Sequence, residues 1–389
     1  MAPPPALAGI TVLDFSTVGP AARCARILAD YGARVVKVGA PARRGGVQIE
    51  PPFYAYSAGR GMRRVRIDLK ASRGRAVFLA LARGADVVIE SFRPGVVDRL
   101  GVGYEAVRSV NPGIVYCSTS GYGQQGPYAR EAGHDLDYLA RGGFLAASEP
   151  SAQGGPPIPG ATLADAAAGG MQAATAILAA LFRRTRTGQG EYLDVSVLDG
   201  VVWLMSLYVD QHLATGEPIG PGHDILTGRY ACYGVYRARD GGWLAVGAIE
   251  PHFYANLCRA LDLEKWIPHQ TDDAVQEAIR RDFARAFARR DRDEWARELA
   301  PSDTCVAPVL SVEEVARDPH LAERHAFVEA LHPRFGRFRQ VGPVLAGSAA
   351  VEEPVEVPDA STTDTLELLR EAGVAPAELE ALHREGIIQ

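Results

Sequence analysis

Three acid–base residues stand out in this chain for the company they keep. His134 lies in Gly133-His134-Asp135-Leu136-Asp137-Tyr138, just after a glycine-rich stretch, Gly121-Tyr122-Gly123-Gln124-Gln125-Gly126-Pro127. Histidine titrates nearer neutrality than any other side chain, and here it opens a helical pattern with a carboxylate, Asp135, beside it. Asp165 stands among residues with almost no side chain, Leu163-Ala164-Asp165-Ala166-Ala167-Ala168-Gly169-Gly170. Partial desolvation there raises a carboxyl toward a useful working range. The third residue, Glu250, precedes Pro251 in Val246-Gly247-Ala248-Ile249-Glu250-Pro251-His252-Phe253-Tyr254. The set suggests proton transfer on both sides of one carbon, with no cofactor or metal doing the work. Each residue also has a plainer reading: His134 as a structural histidine, Asp165 as a helix cap, and Glu250 ahead of a helix with proline in its first turn. Spacing alone does not bring the three together.

The elements that must position them alternate. Ile10–Phe15, Arg34–Val38, Asp86–Glu90 and Ile114–Ser118 read as strands. Helical patterns run from Val18 to Tyr31 and near 73–83 and 103–109. Strand–helix alternation implies parallel pairing in a doubly wound sheet, with ligands at the strands' carboxyl ends. The stretch 134–215 reads as mostly helical, including one long apolar helix from Val195 to Leu213. Turn residues at 215–228 mark a boundary. Beyond it Tyr230–Arg237 and Trp243–Val246 form a hairpin around Asp240-Gly241-Gly242. Helices near 251–261, 272–289 and 291–299 and a strand at 305–310 follow; after a linker-like stretch at 347–361, helices near 363–371 and 376–384 close the chain.

Arginines gather where the sheet's carboxyl edge should lie: Arg43, Arg44, Arg60, Arg63, Arg64, Arg66 and Arg93. Guanidinium groups suit phosphate, and Arg93 is best placed because it follows a strand directly. Net charge is −6 and pI about 5.9, which argues against a nucleic-acid partner. Five widely spaced cysteines without a CxxC pair indicate a reducing compartment and no structural zinc. With no signal-like start and no apolar run of about 18 residues, the expectation is a cytoplasmic protein without a membrane partner. The GxGxxG, GxxxxGK[ST], HExxH and GxSxG signatures are missing.

Taken together, the residues resemble the class III CoA-transferase superfamily (CaiB/BaiF type), and within it the α-methylacyl-CoA racemase branch. The resemblance rests on Leu13-Asp14-Phe15 through Val18-Gly19-Pro20, Ala33 to Val38, Ile67-Asp68-Leu69-Lys70, Phe92-Arg93-Pro94-Gly95-Val96, the glycine-rich stretch at 121–127 and Gly188-Gln189-Gly190. The branch is indicated by Gly133-His134-Asp135, by 247–254 and by 302–309. Departures fall at Gly39-Ala40-Pro41, Ala58–Arg63 and Leu226–Tyr230. The resemblance implies an α/β fold: a Rossmann-like large domain with a parallel sheet, plus a smaller α+β domain. The expected boundaries are 1–200 for the large domain, completed by 335–389, a linker at 201–225 and a small domain at 226–334. It also implies an interlocked homodimer acting on acyl-CoA thioesters, with CoA entering as part of the substrate. His134 and Asp165 would be the two bases of a racemase passing through an enolate. Glu250, from the second copy, would support His134, and Asp135 would anchor the loop or CoA. Arg60, Arg63, Arg93 and the Gly121, Tyr122 and Gly123 stretch would hold the substrate. The alternatives are CoA transfer between carboxylic acids through an acyl anhydride on Asp165, and a non-catalytic CoA-ester binder.

Overall fold

Apolar runs flanked by helical patterns become a parallel sheet in the computed structural model, which describes residues 4–42, 51–55, 59–150, 154–343 and 354–389. Arg43, Arg44 and part of the linker-like stretch lie outside the described residues. The six strands are β1 (Thr11–Asp14), β2 (Arg34–Gly39), β3 (Arg63–Arg66), β4 (Val87–Glu90), β5 (Val115–Ser120) and β6 (Glu191–Ser196). Their order is β3-β2-β1-β4-β5-β6, with every pair parallel. The helices among them are α1 (Gly19–Asp30), α2 (Ser72–Arg83), α3 (Val96–Arg99), α4 (Tyr104–Val110), α5 (Asp135–Arg141), a short α6 (Phe144–Ala147), α7 (Gln172–Thr187) and, after β6, α8 (Val197–Leu204).

β4 and β5 are buried along their whole length, as strands covered on both faces must be. Alternate residues enter opposite cores. Val12, Val35, Val87 and Val115 pack with Leu28 of α1 and Ile177 of α7. Leu13, Val36, Val88 and Tyr116 pack with Phe78 of α2, Val107 of α4 and Leu368 and Leu382 near the C-terminus.

Both edge strands differ from the sequence expectation. β3 reads Arg-Arg-Val-Arg and β6 reads Glu-Tyr-Leu-Asp-Val-Ser, so neither carries an apolar run. Charged edge strands of this kind resist pairing with other chains. Val195 and Ser196, expected in a helix, end β6. The Ser196 hydroxyl then caps α8 by accepting from the Asp199 N–H at 3.2 Å, and α8 stops at Leu204 before a separate α9 (Ser206–Thr215). One helix bears on the expectation that no apolar run reaches about 18 residues. Ala164–Thr187 is a helix of 24 residues, long and apolar enough by composition to cross a bilayer. Ala173, Ala174, Ile177, Ala180 and Leu181 on one side of it are buried in the fold.

The chain forms two compact units. One comprises Met1–Gly142, Pro159–Ser206 and Pro319–Gln389; the other comprises Gly143–Ile158 and Leu207–Asp318. The return to the first unit thus comes at Pro319, ahead of the 335 expected, and Gly143–Ile158 groups with the second unit. In the second unit β7 (Tyr233–Arg237), β8 (Trp243–Gly247) and β9 (Val306–Pro308) make an antiparallel sheet. Its core is aromatic, with Tyr236, Tyr254, Phe283, Phe287 and Trp295 packed together.

Candidate active site

A cleft of about 510 Å³ opens at the carboxyl ends of β1, β4 and β5. β1 is flanked by β2 on one side and β4 on the other. Successive connections therefore leave in opposite directions here, which opens a crevice in a doubly wound sheet. The walls are the turn after β1 (Val18, Gly19), the turn after β4 (Ser91 to Pro94), the turn after β5 (Thr119 to Tyr122), Gly133-His134 and Asp165. His134 and Asp165, 31 positions apart in sequence, thus line one cavity of a single unit.

Each of these two residues has its own placement. His134 is the N-cap of α5 in an extended conformation, φ −126° and ψ 178°, the backbone state usual for a residue that opens a helix. It is exposed, while Asp165 is half-buried. Asp165 lies in a π-helical segment, Ala164–Met171, that runs directly into α7. Such widened turns are rare and recur at functional sites. Gly169 lets this segment close on α1, since a Cβ there would stand 2.6 Å from Pro20 Cβ. One Asp135 carboxylate oxygen accepts the Asp165 backbone N–H at 2.9 Å. Asp135 thus braces the segment that carries Asp165. Burial pushes the Asp165 carboxyl above its ordinary range; the nearby Asp135 charge adds to this, while Arg23 and His134 oppose it.

Two further carboxylates, not singled out from the sequence, hold the turns that form the walls. Glu90 ends β4, is 2% exposed, and accepts the Phe92 N–H at 2.7 Å. Burial pushes its carboxyl up to about 7 against the pull of the Ser118 hydroxyl and that N–H. Asp194 of β6 accepts the Gln124 N–H at 3.0 and 3.2 Å. Glu90, Ser118 and Asp194 are lateral neighbours across β4, β5 and β6. A carboxylate ending the apolar run Val87-Val88-Ile89 was the available signal for Glu90. Tyr138 lines the cleft too, and its hydroxyl donates to the Gly133 carbonyl at 2.6 Å.

A family model described as CoA-transferase family III matches residues 7–359. The chain belongs to CoA-transferase family III. Human alpha-methylacyl-CoA racemase is 37% identical over 390 residues, covering 99% of this chain and 98% of its own length. Acetyl-CoA:oxalate CoA-transferase of Acetobacter aceti is 30% identical over 339 residues, covering 83% of this chain and 85% of its own. Among solved structures, a CAIB/BAIF family protein from Brucella suis superposes with a TM-score of 0.74 at 25% identity, covering 98% of this chain and 99% of that one.

The arginines divide between the cleft and the fold. Arg93 lines the cleft beside Gly121 and Tyr122, where a guanidinium can meet a phosphate. Arg60 and Arg63, expected to do the same, are occupied elsewhere. Arg60 is 3% exposed and donates to Asp30 at 3.0 Å and to the Val341 carbonyl at 2.9 Å. Arg63 faces three carboxylates, Asp364 at 3.2 Å, Glu367 at 2.6 Å and Glu371 at 3.5 Å. Both bind the fold to itself. Glu250 lies in the second unit as the exposed N-cap of α10 (Pro251–Ala260), with proline in the first turn. Its carboxylate stands close enough to the Cys305 thiol to help raise it, after burial. Asp303 and Cys305, at φ 55° and 51°, flank this corner in a left-handed conformation that non-glycine residues rarely adopt. Among the described residues no group of three His, Cys, Asp or Glu side chains could hold a metal ion.

Proposed function

We propose that this protein interconverts the two hands of 2-methylacyl-CoA, or related α-substituted acyl-CoA, thioesters by proton removal and return at the α-carbon. The observation that carries this reading is the pairing of an imidazole and a desolvated carboxylate on separate elements lining one cleft. A thioester α-proton is weakly acidic, so its removal needs a positioned base and a stabilised enolate oxygen. Asp165 takes the proton of one hand and His134 that of the other. Whichever residue is not the base begins the turnover protonated and returns its proton to the opposite face. Backbone N–H groups of the Gly121–Gly123 turn face the enolate oxygen, and Arg93 holds a CoA phosphate. The near-full-length likeness to an alpha-methylacyl-CoA racemase supports the same assignment.

In this reading Glu250 approaches His134 from a second copy, so that activity requires a homodimer. Exposed Met171, Leu178, Phe182 and Trp203 on the large unit offer apolar surface for that second copy. All five cysteines are unpaired, in keeping with a reducing compartment such as the cytoplasm. The runner-up is CoA transfer, favoured by the likeness to a transferase: Asp165 attacks the thioester, releases CoA and carries the acyl group as an anhydride. The test is incubation with 2-methylacyl-CoA in D2O without an acceptor acid. Deuterium entering the α-position of both hands, lost for one hand in His134→Ala, for the other in Asp165→Ala and for both in the double variant, supports proton transfer. No exchange, with CoA passing to an added carboxylic acid, overturns it.

A further inference from the structure

The peptide plane joining Gly133 to His134 is gripped at both ends. Its carbonyl accepts the Tyr138 O–H at 2.6 Å, and its N–H donates to the Asp137 carboxylate at 2.9 Å. Both partners come from the start of α5. Tyr138 is also closely packed. A Cβ on Gly121 would lie 2.4 Å from the Tyr138 ring, and one on Gly133 would lie 2.7 Å from it. The ring stands edge-on to Tyr122, with centroids 5.2 Å apart, and the residue is 8% exposed. A rigid ring held on these sides has little freedom to release the carbonyl.

The single phenolic proton is committed to Gly133, so Tyr138 is no acid toward substrate. Burial pushes the phenol up to about 12, so it is no base either. Asp165 is placed by a different contact, the Asp135 carboxylate on its N–H. Asp165 and His134 therefore lean on different side chains of the one helix α5, and removing the Tyr138 hydroxyl alone leaves the Asp135 contact to Asp165 in place.

We infer that Tyr138, with Asp137, is a positioning residue that aims the His134 imidazole by clamping the Gly133–His134 peptide plane, and that it acts on one face of the substrate only. The inference rests on the two-base reading above and extends it by dividing the supporting residues between the faces.

The test is Tyr138→Phe, which keeps the ring and removes only the hydroxyl. Each hand of 2-methylacyl-CoA is incubated separately in D2O with wild type and variant, and initial deuterium entry at the α-carbon is followed by mass. Racemisation rates cannot reveal a one-sided defect at low substrate, because the near-unit equilibrium constant ties the two directions together. Exchange can, because Asp165 can remove and return a proton on its own face without His134. The expected result is exchange slowed about tenfold for one hand and nearly unchanged for the other, the size a lost hydrogen bond and a slightly misplaced base allow. Any misfolded fraction scales both hands alike and leaves their ratio untouched. Equal slowing of both hands, or no slowing, overturns the inference while leaving the two-base reading standing. Wild type that exchanges neither hand overturns both.

Discussion

Glu90 provides a test of the cleft's architecture that needs no substrate. Its carboxyl is buried at the end of β4 and pushed up to about 7, against an ordinary value of 4.5. Below the ordinary value the group is protonated folded or unfolded and contributes nothing to the pH dependence. Between the two values the folded protein keeps a proton that the unfolded chain has released. Stability therefore falls as pH rises through this window, and the full cost remains above it. The difference in proton affinity corresponds to about 3 kcal/mol. Glu90→Gln has no charge to desolvate, and its amide oxygen can still accept the Phe92 N–H. Denaturant unfolding of both proteins at one concentration, from about pH 5 to about pH 8, should give curves that separate as pH rises, with the variant gaining up to about 3 kcal/mol. Parallel curves would show that Glu90 is ionised throughout and that the polar row beneath the cleft is wetter than its burial implies.

Other substitutions separate placement from chemistry. Arg60→Ala removes one of the two arginines on Asp30, Arg26 being the other, together with the bond to the Val341 carbonyl, and should cost about 1–3 kcal/mol of stability without raising KM. Arg93→Ala should raise KM roughly tenfold with little loss of stability. Equal effects in thermal melts and substrate titrations would refute that division. Asp135→Asn removes the charge that helps raise Asp165. The acid limb of kcat/KM should move toward lower pH, in both directions alike; a limb that stays put or rises refutes the coupling. Gly121→Ala drives a methyl to 2.4 Å from the Tyr138 ring. It should cost about 1–3 kcal/mol, seen as a lowered melting temperature, and an unchanged melt would mean the ring can move.

The central strands were legible because burial on both faces demands unbroken apolar runs, such as Val87-Val88-Ile89. β3 and β6 were hidden because an edge strand needs no such run; their residues look like loop or helix until a neighbour pairs with them. The π-helical turns around Asp165 left no mark, since alanine and glycine accept either helical winding. His134 and Asp165 were legible as chemical types in unusual settings, and the shared cleft follows from the strand order, which no local pattern encodes. Arg60 and Arg63 were misread for a related reason. One carboxylate that occupies Arg63 comes from Asp364, 301 residues later, and a cluster of cations in sequence says nothing about anions that arrive from elsewhere. Tyr138 carried no signal in the sequence, because its role depends on a carbonyl and two glycines that surround it only in the fold.

The two chemistries of the family make different demands on the same carboxylate. As a nucleophile, Asp165 must approach the thioester carbonyl carbon and lose its charge on acylation. As a base, it must face the α-carbon and recover its charge when the proton leaves. Desolvation helps either role, so the raised Asp165 carboxyl does not choose between them. The choice lies with the partner across the cleft. An imidazole is of use to a racemase only if its ring is held to the opposite face with a lifetime longer than the enolate's. The contacts needed for that are those on the Gly133–His134 peptide plane. A transferase has no use for such a clamp, because nothing in acyl transfer through Asp165 requires a second base of fixed direction. The hydrogen bond from Tyr138 to the Gly133 carbonyl is therefore a better discriminator than Asp165 itself. Losing that bond should leave CoA transfer intact and slow proton exchange on one face about tenfold.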